Sequence, residues 1–120
     1  ESALPQMKRG TIVLTEFPFT DLQAVKRRPA VVVSRETNSE TDVIVAFISS
    51  VIPDTPSDTD LILRSTHKEF RKSGLKKTSV IKLGKLATLN KSIFTGEIGS
   101  LSAGSMKELD SRLKIALDLK

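Results

Sequence analysis

The chain has 120 residues, of which 38% are hydrophobic and 28% are charged, and its formal net charge is +5. This composition is typical of one globular domain and excludes an intrinsically disordered chain. No apolar run approaches the roughly 20 residues of a membrane-spanning helix, and no secretory segment is evident. We therefore expect a cytoplasmic protein with no membrane contact.

Four runs in the first half of the chain predict β-strands. Thr11–Phe17 is rich in β-branched residues and is followed by Pro18. Residues 29–34 (PAVVVS) form a continuous apolar run with proline first, where a missing N–H does least harm. Residues 42–50 (DVIVAFISS) form the longest run and predict a central strand, and residues 60–63 predict a short one.

The second half of the chain predicts two more strands, at residues 79–83 and 86–89. Gly84 lies between them and indicates a bulge or bend. Turn-forming residues are frequent at 20–24, 35–41 and 53–59, and the last of these predicts an exposed loop. Residues 64–77 are polar and basic and predict an excursion from the sheet.

The chain ends in a predicted amphipathic helix. Ser105 and Glu108 have the spacing of a capping box. An apolar stripe with helical spacing follows: Met106, Leu109, Leu113, Ala116 and Leu117. Short strands with one terminal helix predict a mainly β fold, a small barrel or sandwich covered by the helix. We assign one domain to residues 7–120 and interpret residues 1–6 as a tag or processing remnant before Met7.

Positive charge is concentrated in one segment. Residues 64–91 contain nine Lys or Arg and a single acid, Glu69, which gives a net charge of +8. Segregated positive charge attracts polyanions and accelerates their encounter. Nucleic acid is the partner that this segment favours, with an acidic protein segment next and a solvated face without a partner as the third interpretation.

Several chemistries are excluded by residue counts. The chain has no cysteine and only one histidine, His67, so thiol catalysis, disulfides and paired-imidazole mechanisms are excluded. It has no P-loop and no G-x-S-x-G motif. Asp54, Asp58 and Asp60 lack the spacing of a calcium loop. We therefore expect neither a metal nor a cofactor.

Arginine and hydroxyl groups remain as candidates. Arg28 precedes Pro29, which biases its backbone towards extended geometry, and Ser49 and Ser50 end the longest predicted strand. A fixed guanidinium beside a hydroxyl suits a phosphodiester, because the planar fork binds phosphate oxygens and its charge stabilises the transition state. RNA carries its own nucleophile, the 2′-OH. An ordinary solvated turn and strand end explains the same residues equally well.

Three segments in succession resemble one family: RGTIVLTEFPFTD with KRRPAVVVS, then DVIVAFISS, then GLKKTSVIKLGKLATLNKSI. They resemble the MazF/PemK family of type II toxins, and the resemblance extends from about residue 8 to residue 117. It implies an SH3-like, partly open β-barrel with a C-terminal helix, assembled as a homodimer. It also implies a toxin that cleaves single-stranded mRNA without a metal, to 2′,3′-cyclic phosphate and 5′-OH ends, and that is neutralised by a cognate antitoxin protein.

The resemblance also implies roles for individual residues. Arg28 falls on the catalytic arginine, and Ser49 falls where a threonine is usual. We expect RNA contacts from Lys26, Arg27, Ser50, Lys82, Lys85 and Thr88. Ala87 and Asn90 replace the charged residues of an Arg-Thr-x-Asp stretch, and Thr78 replaces a common aspartate. These departures leave a second hypothesis open, a non-catalytic RNA-binding or gyrase-poisoning module on the same fold.

Overall fold

Six β-strands and one C-terminal α-helix form the part of the chain that the structure, a computed structural model, describes: residues 7–17, 26–35 and 41–120. The elements are β1 (Thr11–Phe17), β2 (Lys26–Val32), β3 (Asp42–Ser49), β4 (Asp60–Leu63), β5 (Ser79–Asn90), β6 (Phe94–Ser100) and α1 (Ala103–Leu117). Short 3₁₀ turns lie at Phe70–Ser73 and Lys91–Ile93. The predicted remnant at 1–6, the turn at 20–24 and residues 36–40 of the predicted turn at 35–41 lie outside the described residues.

The strands form one antiparallel sheet in the order β4-β5-β3-β2-β1-β6. Within the described residues, β4 and β6 are its two edges, so the sheet is curled without closing. This confirms the predicted mainly β fold, a partly open barrel with a terminal helix. The strands predicted in the first half of the chain are all present, although β2 begins at Lys26 instead of Pro29.

The two strands predicted around Gly84 are a single strand, β5. Phe47 of β3 pairs with Lys82, while the neighbouring Ala46 pairs with Leu86, so residues 83–85 bulge out of the ladder. The predicted bulge is therefore confirmed, but it bends one strand and does not separate two.

β6 was not predicted from the sequence. Its residues, FTGEIGS, include two glycines and lack a run of branched apolar side chains. The strand forms because it pairs with β1, and the register shifts twice along that ladder. Tertiary pairing therefore overrides a weak local preference.

Alternating side chains along the strands build two apolar clusters, one on each face of the sheet. The larger cluster includes Ile12, Val31, Ile81 and Leu83, all fully buried, together with Leu109 of α1. The smaller cluster consists of Met7, Val13, Ala30, Val32, Val43 and Val45. The helix therefore covers one face only.

The helix begins three residues earlier than the predicted capping box. Ser102 is the N-cap, and its Oγ accepts a hydrogen bond from the Ser105 N–H at 3.2 Å. Ser105 thus occupies the third helical position and not the cap. The predicted stripe packs on the larger cluster through Met106, Leu109, Leu113 and Ala116, but Leu117 is 49% exposed and does not belong to it.

Two arginines connect α1 to the barrel. Arg9 donates from Nε to the Val33 carbonyl at 2.8 Å, and its two terminal nitrogens contact the Asp110 carboxylate. Arg112 donates to Glu108 at 2.9 Å and to the backbone carbonyl of Asp58 at 3.1 Å. Both arginines therefore hold secondary-structure elements together. No helix among the described residues is long and apolar enough to span a membrane.

Candidate functional site

A cleft opens where β2 and β3 separate. The last pair between these strands is Ala30 with Phe47. Arg28 lies two residues before Ala30, and Ser49 lies two residues after Phe47, so both lie beyond the paired region on neighbouring strands. Arg28 is nevertheless held in place, because β1 pairs with β2 at Thr15 opposite Arg28. The strand ends thus bring the two predicted catalytic residues to one opening of about 280 Å³.

We call this opening the cationic cleft. Its lining residues are Arg27, Arg28, Pro29, Ile48, Ser49, Ser50, Val51, Leu75, Lys76, Lys77 and Ser79. Four of them are exposed cations, and no aspartate or glutamate of the described chain lines it. The positive charge of these residues attracts anionic groups such as phosphates.

The side chains of Arg27 and Arg28 have no hydrogen bond or ion pair with any described residue. Both are exposed on β2. Because Arg28 precedes Pro29 and pairs with β1, its backbone is fixed, while its five side-chain N–H donors have no acceptor among the described residues. A guanidinium in this state can bind two phosphate oxygens at once.

The Ser49 hydroxyl has one hydrogen bond within the described part of the chain. Its Oγ accepts a hydrogen bond from the Val51 N–H at 3.1 Å, which fixes the start of the turn after β3. Its own proton has no acceptor among the described residues, so it can donate to a phosphate oxygen. Ser50 follows and is exposed in the same cleft.

Lys76 and Lys77 reach the cleft on a short connection that we call the arm, residues 74–78. The arm is fixed at both ends by buried serines. Ser73 Oγ donates to the Phe70 carbonyl at 2.6 Å and accepts from the Leu75 N–H at 3.1 Å. Ser79 Oγ donates to the Lys77 carbonyl at 2.8 Å. The two lysines therefore project from a restrained backbone.

Two glycines allow the arm and the 3₁₀ turn before it to lie directly against β6. Gly74 has φ +75°, and a Cβ there would lie 1.9 Å from the Ile98 carbonyl oxygen. A Cβ on Gly99 would lie 2.4 Å from the Lys72 carbonyl oxygen. Because backbone meets backbone at both positions, only glycine fits, and β6 sets the position of the arm.

Other predicted RNA contacts lie away from the cationic cleft. Lys82 and Lys85 lie on β5, at its pairing with β3 and β4 and in its bulge. Thr88 lines a separate opening of about 420 Å³ with Ser34, Arg35, Asp42 and Ile44. Lys26 is the first residue of β2, and its side chain lies outside the described part of the structure.

The residues that depart from the family pattern have structural roles here. Ala87 packs against the smaller apolar cluster. Asn90 caps the turn at Lys91–Ile93, where its side chain accepts a hydrogen bond from the Ser92 N–H at 2.9 Å. Thr78 accepts a hydrogen bond from the Ser65 N–H at 2.9 Å and so closes the excursion at 64–77.

The sequence-based site lacked Ser79 and included Lys76 and Lys77 only as members of the basic segment. The sequence signal for them was weak, because their place in the cleft depends on two close backbone contacts with β6, a strand that was not predicted. One contact is at Gly74 and the other is at Gly99 of β6 itself. Among the described residues, no group of three His, Asp or Glu side chains could hold a metal ion.

Comparison with solved structures identifies similar folds. An endoribonuclease in complex with its cognate antitoxin from a mycobacterial species aligns with a TM-score of 0.73 and 16% identity, over 98% of each chain. The Mycobacterium tuberculosis toxin MazF-mt6 aligns with a TM-score of 0.72 and 22% identity, over 92% of this chain and 98% of that one. A MazE-MazF structure from Deinococcus radiodurans aligns with a TM-score of 0.72 and 16% identity, over 98% and 100%.

At these identities the structures establish the fold alone. No curated protein matches the sequence. A family model does match it, over residues 8–117, which is nearly the whole chain. The chain therefore belongs to the PemK-like, MazF-like toxins of type II toxin–antitoxin systems.

Proposed function

We propose that the protein is an endoribonuclease toxin that cleaves single-stranded RNA without a metal ion, leaving 2′,3′-cyclic phosphate and 5′-OH ends. One observation carries the proposal: Arg28, whose side-chain donors have no acceptor among the described residues, and the Ser49 hydroxyl line one cleft in which no described carboxylate lies. The family membership supports the same activity.

The proposed reaction is an internal transesterification. The 2′-OH attacks the adjacent phosphorus, the bond to the 5′ oxygen breaks, and that oxygen takes up a proton while the 2′ oxygen releases one to solvent. Negative charge increases on the non-bridging oxygens in the transition state. Arg28 would stabilise that charge, and it would not act as the proton donor, because a guanidinium stays protonated in proteins.

Ser49 would orient the phosphate. Its Oγ is held by the Val51 N–H, so the remaining hydroxyl proton can donate to a non-bridging oxygen in a fixed direction. Ser49→Thr keeps this donor and we expect it to retain activity. Ser49→Ala removes it, and we expect cleavage to fall by about 10- to 100-fold, the loss of one hydrogen bond to a charged phosphate oxygen.

Arg27, Lys76 and Lys77 would hold the phosphates on either side of the cleaved bond. All three are exposed on the same cleft. Single-stranded RNA is the expected substrate, because an extended strand can place successive phosphates along such an opening. In the cell this substrate would be messenger RNA in the cytoplasm.

The direct experiment uses purified protein and an end-labelled single-stranded RNA in buffer with EDTA. We expect cleavage, with 5′-OH ends that polynucleotide kinase can label and cyclic phosphates that acid opens. Arg28→Ala is the control, with an expected loss of about 100- to 1,000-fold. No cleavage by the wild type, activity only with added divalent metal, or 5′-phosphate ends would each contradict the proposal.

The second candidate is a non-catalytic RNA-binding or gyrase-poisoning toxin. It is favoured by Ala87 and Asn90, which are uncharged and have structural roles. Induced expression distinguishes the two: growth arrest with intact RNA supports the second candidate, whereas growth arrest with mapped RNA fragments supports the nuclease.

We further propose two protein partners. The cationic cleft would bind an acidic segment of a cognate antitoxin, because among the described residues it presents four cations and no acid. The family resemblance also implies a second copy of this chain. Light scattering coupled to size exclusion tests the homodimer directly, and a monomer mass at micromolar concentration would contradict it.

A further inference from the structure

Beside the cationic cleft lies a second cavity of about 280 Å³ with mostly apolar walls. Its lining residues are Leu14, Pro29, Gly74, Leu75, Lys76 and Ile98. The side chains of Leu14, Pro29, Leu75 and Ile98 are half-buried, so they form cavity walls that are still partly exposed to solvent. Lys76 is the one charged residue of the described chain that lines it.

The two cavities adjoin each other. Pro29, Leu75 and Lys76 line both of them. Arg28 lines the cationic cleft and directly precedes the shared wall residue Pro29 on β2, so the apolar cavity adjoins the cleft that Arg28 lines. A ligand that fills both openings must therefore combine an anionic group with a neighbouring apolar one.

A nucleotide has this combination, because its phosphate is anionic and its base has two apolar faces. Bases of single-stranded RNA are unstacked and can be splayed into protein pockets. The chain has no Trp or Tyr and only five Phe, so aliphatic walls must replace the usual aromatic platform. No acid of the described chain lines the cavity, so none of these residues would repel the flanking phosphates.

We propose that this cavity, which we call the base pocket, receives one unstacked nucleobase next to the phosphodiester held by Arg28 and Ser49. Leu75 and Ile98 are then specificity-determining residues, because they shape the pocket without touching the reacting atoms. The inference rests on the proposed function, since the same RNA strand must occupy the cationic cleft.

The test measures binding and needs no cleavage. The probe is a fluorescent 2′-fluoro oligonucleotide, which lacks the 2′-OH nucleophile, in a series that carries one abasic residue at each position in turn. For the wild type we expect one position at which loss of the base weakens binding by about tenfold. Leu75→Ala should bind the intact probe more weakly, and loss of the base at that same position should then have little further effect.

Leu113→Ala is the matched control. Leu113 is also a half-buried leucine packed on the larger apolar cluster, but it lines neither cavity. It should leave the position-dependent pattern of the wild type unchanged. Ile98→Ala provides a second pocket variant, and thermal unfolding confirms that each variant is folded before binding is compared.

Three outcomes would overturn the base pocket: a flat abasic series in the wild type, the same loss for Leu113→Ala as for Leu75→Ala, or a uniform loss across all probes in the pocket variants. A flat series with retained RNA cleavage means that the nuclease does not use the pocket. A position-specific base effect without any cleavage supports the pocket and contradicts the nuclease. The two proposals can therefore fail separately.

Discussion

The arginines on the helix side of the barrel differ from those at the cationic cleft. The side chains of Arg9 and Arg112 are 34% and 30% exposed, and each contacts both a carboxylate and a backbone carbonyl. Arg27 and Arg28 are exposed and have no such partner among the described residues. The same residue type is therefore used for structure in one region and is left available in the other.

This difference indicates where on the protein a ligand is expected to bind. A guanidinium whose donors bind acceptors within the fold stabilises that fold. A guanidinium on a fixed strand whose donors have no described acceptor can instead bind the oxygen atoms of a ligand. Changes on the helix side should therefore affect stability and leave RNA chemistry intact, while changes at the cleft should do the reverse.

The largest expected effect on stability comes from Leu109→Ala. Leu109 is fully buried between α1 and the sheet. Its truncation should lower the free energy of unfolding by about 3 kcal/mol, the usual cost of a buried leucine. Urea denaturation measures this change. The cleavage rate per folded molecule should stay at the wild-type value, and a loss of cleavage in fully folded protein would contradict the separation of the two regions.

Gly99→Ala should affect both stability and RNA binding, because β6 supports both the fold and the arm. A Cβ at this position would collide with the backbone of Lys72 and Ser73. We expect a loss of about 2 kcal/mol in unfolding free energy, typical of overpacking, together with weaker RNA binding as Lys76 and Lys77 move.

Gly104→Ala is the control for that substitution. Gly104 lies in α1, and a Cβ there would meet nothing within 4 Å. Alanine should raise stability by up to about 1 kcal/mol through helix propensity, and RNA binding should not change. If Gly99→Ala behaves like Gly104→Ala, the arm does not depend on β6.

Lys76→Ala tests whether the arm binds RNA through this lysine. Losing one phosphate contact should reduce the slope of log affinity against log salt by about 0.7 for single-stranded RNA. Anisotropy titrations at several salt concentrations measure it. Lys107→Ala, an exposed lysine on α1, is the control and should leave the slope unchanged.

The smallest expected effect comes from Arg112→Ala. It removes a partly exposed ion pair with Glu108 and one hydrogen bond to the Asp58 carbonyl. The unfolding free energy should fall by about 0.5 to 1 kcal/mol. Arg27→Ala should leave stability unchanged, and an equal loss from both variants would show that Arg27 is not free.

Much of this fold could be predicted because the information is local. Thr11–Phe17, Asp60–Leu63 and the apolar stripe around Leu109 have patterns that depend only on neighbouring residues. The N-cap was placed wrongly at Ser105, because Ser105 and Glu108 imitate a capping box while the true cap, Ser102, has a serine at that spacing. β6 was missed because pairing with β1, and not its own composition, makes it a strand.

The site could be predicted only in part for a similar reason. Arg28 and Ser49 were identified from a motif resemblance, and the structure places both in one cleft. Lys76, Lys77 and Ser79 reach that cleft only because Gly74 and Gly99 let the arm lie against β6. Lys82 and Lys85 have the right charge but lie on β5 outside the cleft. The sequence shows which residues are charged, but it does not show on which side of a strand or loop each charged side chain will lie.

The most direct test of the central claim compares cleavage rates of wild type, Arg28→Ala and Arg112→Ala at equal concentrations of folded protein, on one labelled RNA in EDTA. The free arginine should be essential, so Arg28→Ala should be slower by about 100- to 1,000-fold. The paired arginine should be dispensable, so Arg112→Ala should cleave at the wild-type rate. Equal rates for wild type and Arg28→Ala, or equal losses in both variants, would contradict the account.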